Sequence, residues 1–80
     1  MIGNERKLLN YLISQDFNDF TINYEEAQKN LQIPIKEIIT ILERFSSYLM
    51  GLIEFTNFEL SPNPHGYVSL NMNRIRAYMS

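Results

Sequence analysis

The chain has 80 residues, of which 45% are hydrophobic and 20% are charged. This composition is typical of one small globular domain and excludes a disordered chain. The sequence contains no cysteine, which excludes disulfide bonds and thiolate metal sites. Its formal net charge of −2 lowers the expectation of strong nucleic-acid binding, because such binders usually gather Lys and Arg on one face.

The sequence carries no pattern for a membrane or for secretion. No run of about 18 apolar residues occurs, so we expect no membrane-spanning helix. Residues 1–15 scatter charges among apolar positions and lack the basic start and unbroken apolar core of a signal peptide. We therefore expect a cytoplasmic protein.

The first part of the chain predicts a helix, a short strand and a second helix. Apolar residues in helical spacing predict the first helix over residues 4–15. Alternating apolar residues predict a brief extended segment over residues 20–22, placed to pair with a later hairpin. Asn23 is the predicted N-cap of a second helix over residues 24–31, since an Asn at this position accepts a bond from a backbone amide.

The longest apolar pattern predicts a helix over residues 34–50. Proline suits its first position, where no backbone donor is needed, and it enforces the break before the helix. Gly51 is the predicted left-handed residue that ends it. The predicted apolar side of this helix consists of Ile35, Ile38, Ile41, Leu42, Phe45 and Leu49.

The last part of the chain predicts a hairpin and a short helix. The strands are predicted over residues 52–60 and 67–72, and the helix over residues 73–79. In a regular strand Phe55 and Phe58 would lie on opposite faces. Either a β-bulge between them brings both to the core, or an exposed apolar face marks a protein interface.

This order of elements resembles the winged helix-turn-helix superfamily of DNA-binding domains. The residues that carry the resemblance are Ala27–Leu31, the turn at Ile33-Pro34, Ile38–Leu42 and the run Gly51–Ile53 that leads into the hairpin. The resemblance implies a single α+β domain over residues 1–80, with a three-helix core, a β-hairpin wing and a short C-terminal helix. The ending from Gly66 to Met79 is also similar to winged-helix domains of plasmid replication initiators.

The resemblance implies that the second helix of the motif enters the DNA major groove while the wing touches the DNA backbone or the minor groove. The residues carried over by position to the DNA groove are Ile35, Lys36, Thr40 and Arg44, with Ser47 further along. Lys29 on the preceding helix is either an additional phosphate contact or plain surface. Two departures from the family pattern lie in Glu37 and Glu43, on or near the same face. The alternative interpretation of this face is an ordinary solvated helix surface.

The residues give no support for catalysis. The sequence has no Gly-rich phosphate loop, no cysteine nucleophile and no paired carboxylates on a clear scaffold. The single histidine, His65, lies in a turn and has no evident second metal ligand. We therefore expect a protein that is not an enzyme and that uses neither a metal nor a cofactor.

Two functions remain open. The first is a small protein that binds double-stranded DNA as a homodimer and regulates transcription or replication. The second is a protein-interaction module whose acidic wing, bearing Glu54 and Glu59, or whose apolar strand face forms the contact. The candidate interface residues for a dimer or a protein partner are Phe55, Phe58, Ile75, Tyr78 and Met79.

Overall fold

The structure, a computed structural model, describes residues 3–80. Within these residues the chain forms four helices and a three-stranded antiparallel sheet, so it belongs to the α+β class. The elements are α1 Gly3–Ile13, β1 Asp19–Asn23, α2 Tyr24–Leu31, α3 Ile35–Phe45, β2 Ile53–Phe58, β3 His65–Leu70 and α4 Met72–Met79. This order is compatible with the winged helix expected from the sequence.

The sheet has the strand order β1-β3-β2, so β3 lies in the middle and pairs antiparallel with both neighbours. β2 and β3 pair without a break from Ile53–Leu70 to Phe58–His65, and β2 therefore contains no bulge. Because side chains alternate between faces, Phe55 points to the core and Phe58 to the outer face. The bulge that would bring both phenylalanines to the core is absent.

The core lies between the helices and the inner face of the sheet. Its buried side chains come from all seven elements and from the connecting residues Ile33 and Leu52. Tyr24 is fully buried, and its hydroxyl donates a hydrogen bond of 2.8 Å to Asn57 Oδ1. Burial raises the pKa of Tyr24 above its ordinary value, with smaller contributions from the charges of Glu59 and Glu43.

The junction between α2 and α3 is fixed by side chains at both helix ends. Asn23 Oδ1 accepts a bond of 2.9 Å from the Glu26 amide, which confirms Asn23 as the N-cap of α2. Gln32 ends α2 with a left-handed φ of 56°. Pro34 occupies the N-cap position of α3 and has no side-chain oxygen, so Gln28 Oε1 accepts the Ile35 amide instead, at 3.0 Å.

α3 ends at Phe45, five residues before the predicted end at residue 50. The Phe45 carbonyl accepts the amide of Leu52 at 2.9 Å, so the chain folds back at this point. Gly51 has the predicted left-handed φ of 56°, but it closes the loop of residues 46–50 and does not cap α3 directly. Leu49, expected on the buried side, is therefore 87% exposed.

α2 has the predicted bounds, and the bounds of the other elements differ from those predicted by at most two residues. No helix within residues 3–80 is long and apolar enough to cross a membrane. α1 ends at Ile13, and Gln15 uses its side chain to donate to the Tyr11 carbonyl. β2 ends at Phe58 because the next amide, that of Glu59, is bound by Asn57 Oδ1 at 3.0 Å and turns away from the sheet. Such side-chain bonds to the backbone are common where strands and helices stop.

Candidate nucleic-acid interface

The exposed side of α3 presents a row of polar side chains. Ile38, Ile41 and Leu42 turn the opposite side of the helix into the core. Lys36 and Thr40 lie one turn apart on the outward side and are both exposed. The Thr40 hydroxyl donates to the Lys36 carbonyl at 2.9 Å, which leaves its oxygen lone pairs and its methyl group facing solvent.

Arg44, the third candidate on α3, is already paired within the domain. Its guanidinium forms a salt bridge with the carboxylate of Glu5 on α1. The Arg44 side chain is 50% exposed, whereas that of Glu5 is only 11% exposed. A largely buried carboxylate requires a charged partner. The guanidinium of Arg44 is therefore occupied by Glu5 within the domain.

A second contact from α1 covers the same flank of α3. The side-chain amide of Asn4 donates to Glu37 Oε2. Asn4 lies in the first turn of α1. The first turn of α1 thus holds two side chains of α3, and Lys36 and Thr40 form the part of the predicted DNA surface that it leaves open.

The two remaining candidates lie outside this row. Ser47 follows the end of α3, is half-buried, and accepts the Met50 amide at 3.4 Å, so it belongs to the loop. Lys29 is exposed near the end of α2. Gln28 connects α2 to the first residue of α3, so Lys29 lies on the helix that directly precedes the polar row.

The β2–β3 hairpin provides no positive charge. Residues 52–70 contain no Lys or Arg, while Glu54 and Glu59 are exposed. The loop of residues 59–64 is ordered by its own polar groups, with Ser61 Oγ donating to the Asn63 carbonyl at 2.7 Å. The ring of His65 stacks on that of Phe58, with centroids 5.0 Å apart. The hairpin therefore has no Lys or Arg to pair with a DNA phosphate.

The five candidate interface residues separate into two groups. Ile75 is buried in the core and Phe55 is half-buried on the inner face of the sheet, so both serve the fold. Phe58, Tyr78 and Met79 remain exposed. Sequence analysis missed Tyr67, which is exposed on the outer face of the sheet and pairs with Thr56. The alternation of side chains along β3 could have found it, because it places Tyr67 and the buried Val68 on opposite faces.

A groove of about 370 Å³ lies between the loop after α3, the sheet and α4. Its charged lining residues are Glu54 and Arg74, and the Arg74 guanidinium donates to the Met50 carbonyl at 3.3 Å. The rest of the lining consists mainly of serine hydroxyls, Tyr48 and the short apolar ends of β2 and β3. Within residues 3–80 no three His, Cys, Asp or Glu side chains converge as metal ligands.

Comparisons with known protein families, with curated proteins and with solved structures find no match to this chain. A functional conclusion therefore depends on the arrangement of the surface described above. Within residues 3–80 that surface offers a polar row on α3, an acidic hairpin and several exposed aromatic and apolar side chains.

Proposed function

We propose that the chain is a winged-helix domain that binds double-stranded DNA through the exposed side of α3 and regulates transcription or replication. The observation that carries this proposal is the α2–turn–α3 unit, with a polar row left uncovered on its second helix. In winged helix-turn-helix proteins that second helix is the one that enters the major groove. The β1-β3-β2 sheet beside it supplies the hairpin that corresponds to a wing.

The chemistry of the row suits base and phosphate contact. The ammonium of Lys36 can donate to a phosphate or to the major-groove edge of guanine. The methyl group of Thr40, one turn along, can contact a thymine methyl, and its hydroxyl oxygen can accept from the amino group of adenine or cytosine. Lys29 would reach the adjacent phosphate from α2. Arg44 is left out of this set because Glu5 holds it.

The small number of cations limits the affinity. Each phosphate neutralised on duplex DNA contributes about −0.9 to the slope of log K against log salt. With Lys29 and Lys36 as the two contributors, we expect a slope of about −1.8 per bound copy. Without cations on the hairpin, binding to DNA of arbitrary sequence should fall in the range of about 10⁻⁴ to 10⁻⁶ M.

Fluorescence anisotropy with a labelled mixed-sequence duplex tests the proposal between about 50 and 200 mM salt, the range over which counterion release is easily resolved. For Lys36→Glu we expect weaker binding and a slope smaller in magnitude by about 1. Arg6→Glu is the matched control, because it changes the net charge equally on the exposed side of α1. Lys36→Arg should bind at least as well as wild type.

Two outcomes would reject the proposal. One is a wild-type chain that shows no binding at the lowest salt concentration. The other is equal binding by wild type and Lys36→Glu at every salt concentration, since the row on α3 would then have no part in the complex. Circular dichroism of each variant shows whether the substitution has left the helices intact.

A specific feature of the hairpin favours a second function, a protein-interaction module. Leu60 is almost fully exposed in the hairpin loop, beside Glu59, and residues 52–70 contain no Lys or Arg. An exposed leucine next to an acidic residue is unsuited to contact with a phosphate backbone and suited to a partner surface that is apolar and basic. Photocrosslinking from position 60 in cells would support this function by giving a discrete adduct with another protein, and the lack of any adduct would remove it.

A further inference from the structure

α4 carries its apolar line beyond the domain core. Ile75 is buried, and Tyr78 and Met79 follow it at helical spacings of three and four residues on the same side. Both are nevertheless at least 40% exposed, because the core ends below them. Arg74 and Arg76 flank the line on either side. We call Arg74, Arg76, Tyr78 and Met79 the C-terminal patch.

The outer face of the sheet also carries exposed aromatic rings, but its charged residues are acidic. The strand register places Phe58 beside His65 and Tyr67 beside Thr56, with Thr21 of β1 completing the row of Tyr67. Phe58 and Tyr67 are 44% and 46% exposed. Acidic residues lie at both ends: Asp19 and Glu54 flank Ser69 in the next row, and Glu59 follows Phe58. We call Phe58, His65 and Tyr67, with these acids, the aromatic face.

The charges of the aromatic face determine which partner it suits. Exposed aromatic rings on a sheet can stack nucleobases, but a single strand also brings a phosphate backbone that the acids would repel. A surface that carries apolar side chains together with arginines is complementary to it, since guanidinium groups pair with carboxylates and stack on aromatic rings. The C-terminal patch of this same chain has that composition.

We propose that two copies of the chain form a dimer in which the C-terminal patch of each docks on the aromatic face of the other. Each copy supplies both halves of the contact, and in a dimer with a two-fold axis the two contacts are equal. The smallest stable interfaces bury about 600 Å² per partner. That is about a ninth of the 5247 Å² surface of one copy. Neither the C-terminal patch nor the aromatic face includes Lys36 or Thr40. The dimer can therefore be tested separately from DNA binding.

Sedimentation velocity over a range of protein concentrations tests the proposal in the absence of DNA. Wild type should show a reversible monomer–dimer equilibrium that weakens at high salt, because the contact is partly ionic. Arg76→Glu and Tyr67→Lys should each raise the dimer dissociation constant at least about tenfold, the loss expected for a central contact. The matched controls are Arg6→Glu and Phe17→Lys, which make the same changes at exposed positions outside both patches.

Mixing the two variants gives the sharpest test. A heterodimer of Arg76→Glu with Tyr67→Lys keeps one wild-type contact, between the patch of the second variant and the face of the first. We therefore expect the mixture to dimerise more strongly than either variant alone. The proposal is overturned if wild type stays monomeric, if either variant dimerises like wild type, or if the mixture shows no gain. Thermal melting of each variant confirms that it is folded before it is scored.

Discussion

Gly66 lies at the tightest point of the inner sheet face. It pairs with Ile22 on one side and Asn57 on the other, below the ring of Tyr24. A Cβ atom added at this residue would lie 2.5 Å from Cε1 of Phe55 and 2.6 Å from the Tyr24 hydroxyl oxygen. Tyr24 cannot move easily, because it is fully buried and hydrogen-bonded to Asn57. The substitution Gly66→Ala therefore has no free space to occupy.

The expected cost follows from overpacking. Extra methyl groups forced into a filled core destabilise by about 1–3 kcal/mol, and two close contacts put Gly66→Ala in the upper half of that range. For a domain of this size each kcal/mol lowers the melting temperature by about 4–8 °C. Removing the Tyr24 hydroxyl eliminates the 2.6 Å contact, so Tyr24→Phe combined with Gly66→Ala should cost less than the sum of the two single changes.

Urea unfolding followed by circular dichroism measures these differences. The matched control is Gly3→Ala, since a Cβ at Gly3 meets nothing within 4 Å and alanine favours the helix. We expect that control to be as stable as wild type or slightly more stable. Equal unfolding free energies for Gly66→Ala and Gly3→Ala would refute the packing argument, and strict additivity with Tyr24→Phe would show that the hydroxyl is not the obstacle.

The remaining predictions concern Tyr24 and the pair Arg44–Glu5. The pKa of Tyr24 in the folded protein lies above the ordinary value of 10.0. The neutral Tyr24 side chain therefore contributes its full share to the free energy of unfolding below pH 10, and this contribution is lost as the pH rises further. Urea unfolding should show a fall of at most about 1.4 kcal/mol per pH unit above pH 10, and a smaller fall in Tyr24→Phe. Arg44→Gln should lower the unfolding free energy by about 1.5 kcal/mol, because the carboxylate of Glu5 then loses its charged partner. The control Arg76→Gln should lower it by less than about 0.5 kcal/mol. Glu5→Gln should release Arg44 and steepen the salt dependence of DNA binding by about 0.9; an unchanged slope would show that Arg44 cannot reach DNA.

The cap of α2 and the left-handed Gly51 could be predicted from the sequence, because each depends on residues close together in the chain. The cap of α2 needs only an Asn followed three residues later by a free amide, and both are visible in the sequence. The left-handed φ of Gly51 follows from the conformational freedom of glycine at a chain reversal. The order of helices and strands is likewise a sum of such local preferences and of apolar spacing.

The end of α3 could not be predicted from the same signals. Apolar spacing continues through Leu49, so periodicity alone extends the helix to Gly51. The helix stops because the Leu52 amide bonds to the Phe45 carbonyl, a contact that depends on β2 starting beside the core. Ser46 and Ser47 assist by bonding to nearby backbone groups. Local preference for helix was thus overruled by the position of the next strand.

The candidate site depended even more on distant contacts. Glu5 and Arg44 are separated by 39 residues, and no spacing rule connects them. A DNA phosphate could compete for Arg44 only by leaving the Glu5 carboxylate, 11% exposed, without its partner. Because a largely buried carboxylate is destabilising without its partner, the folded domain retains the pair, and Arg44 is less available to a DNA phosphate than the sequence indicates. The charge available on α3 is therefore set by α1.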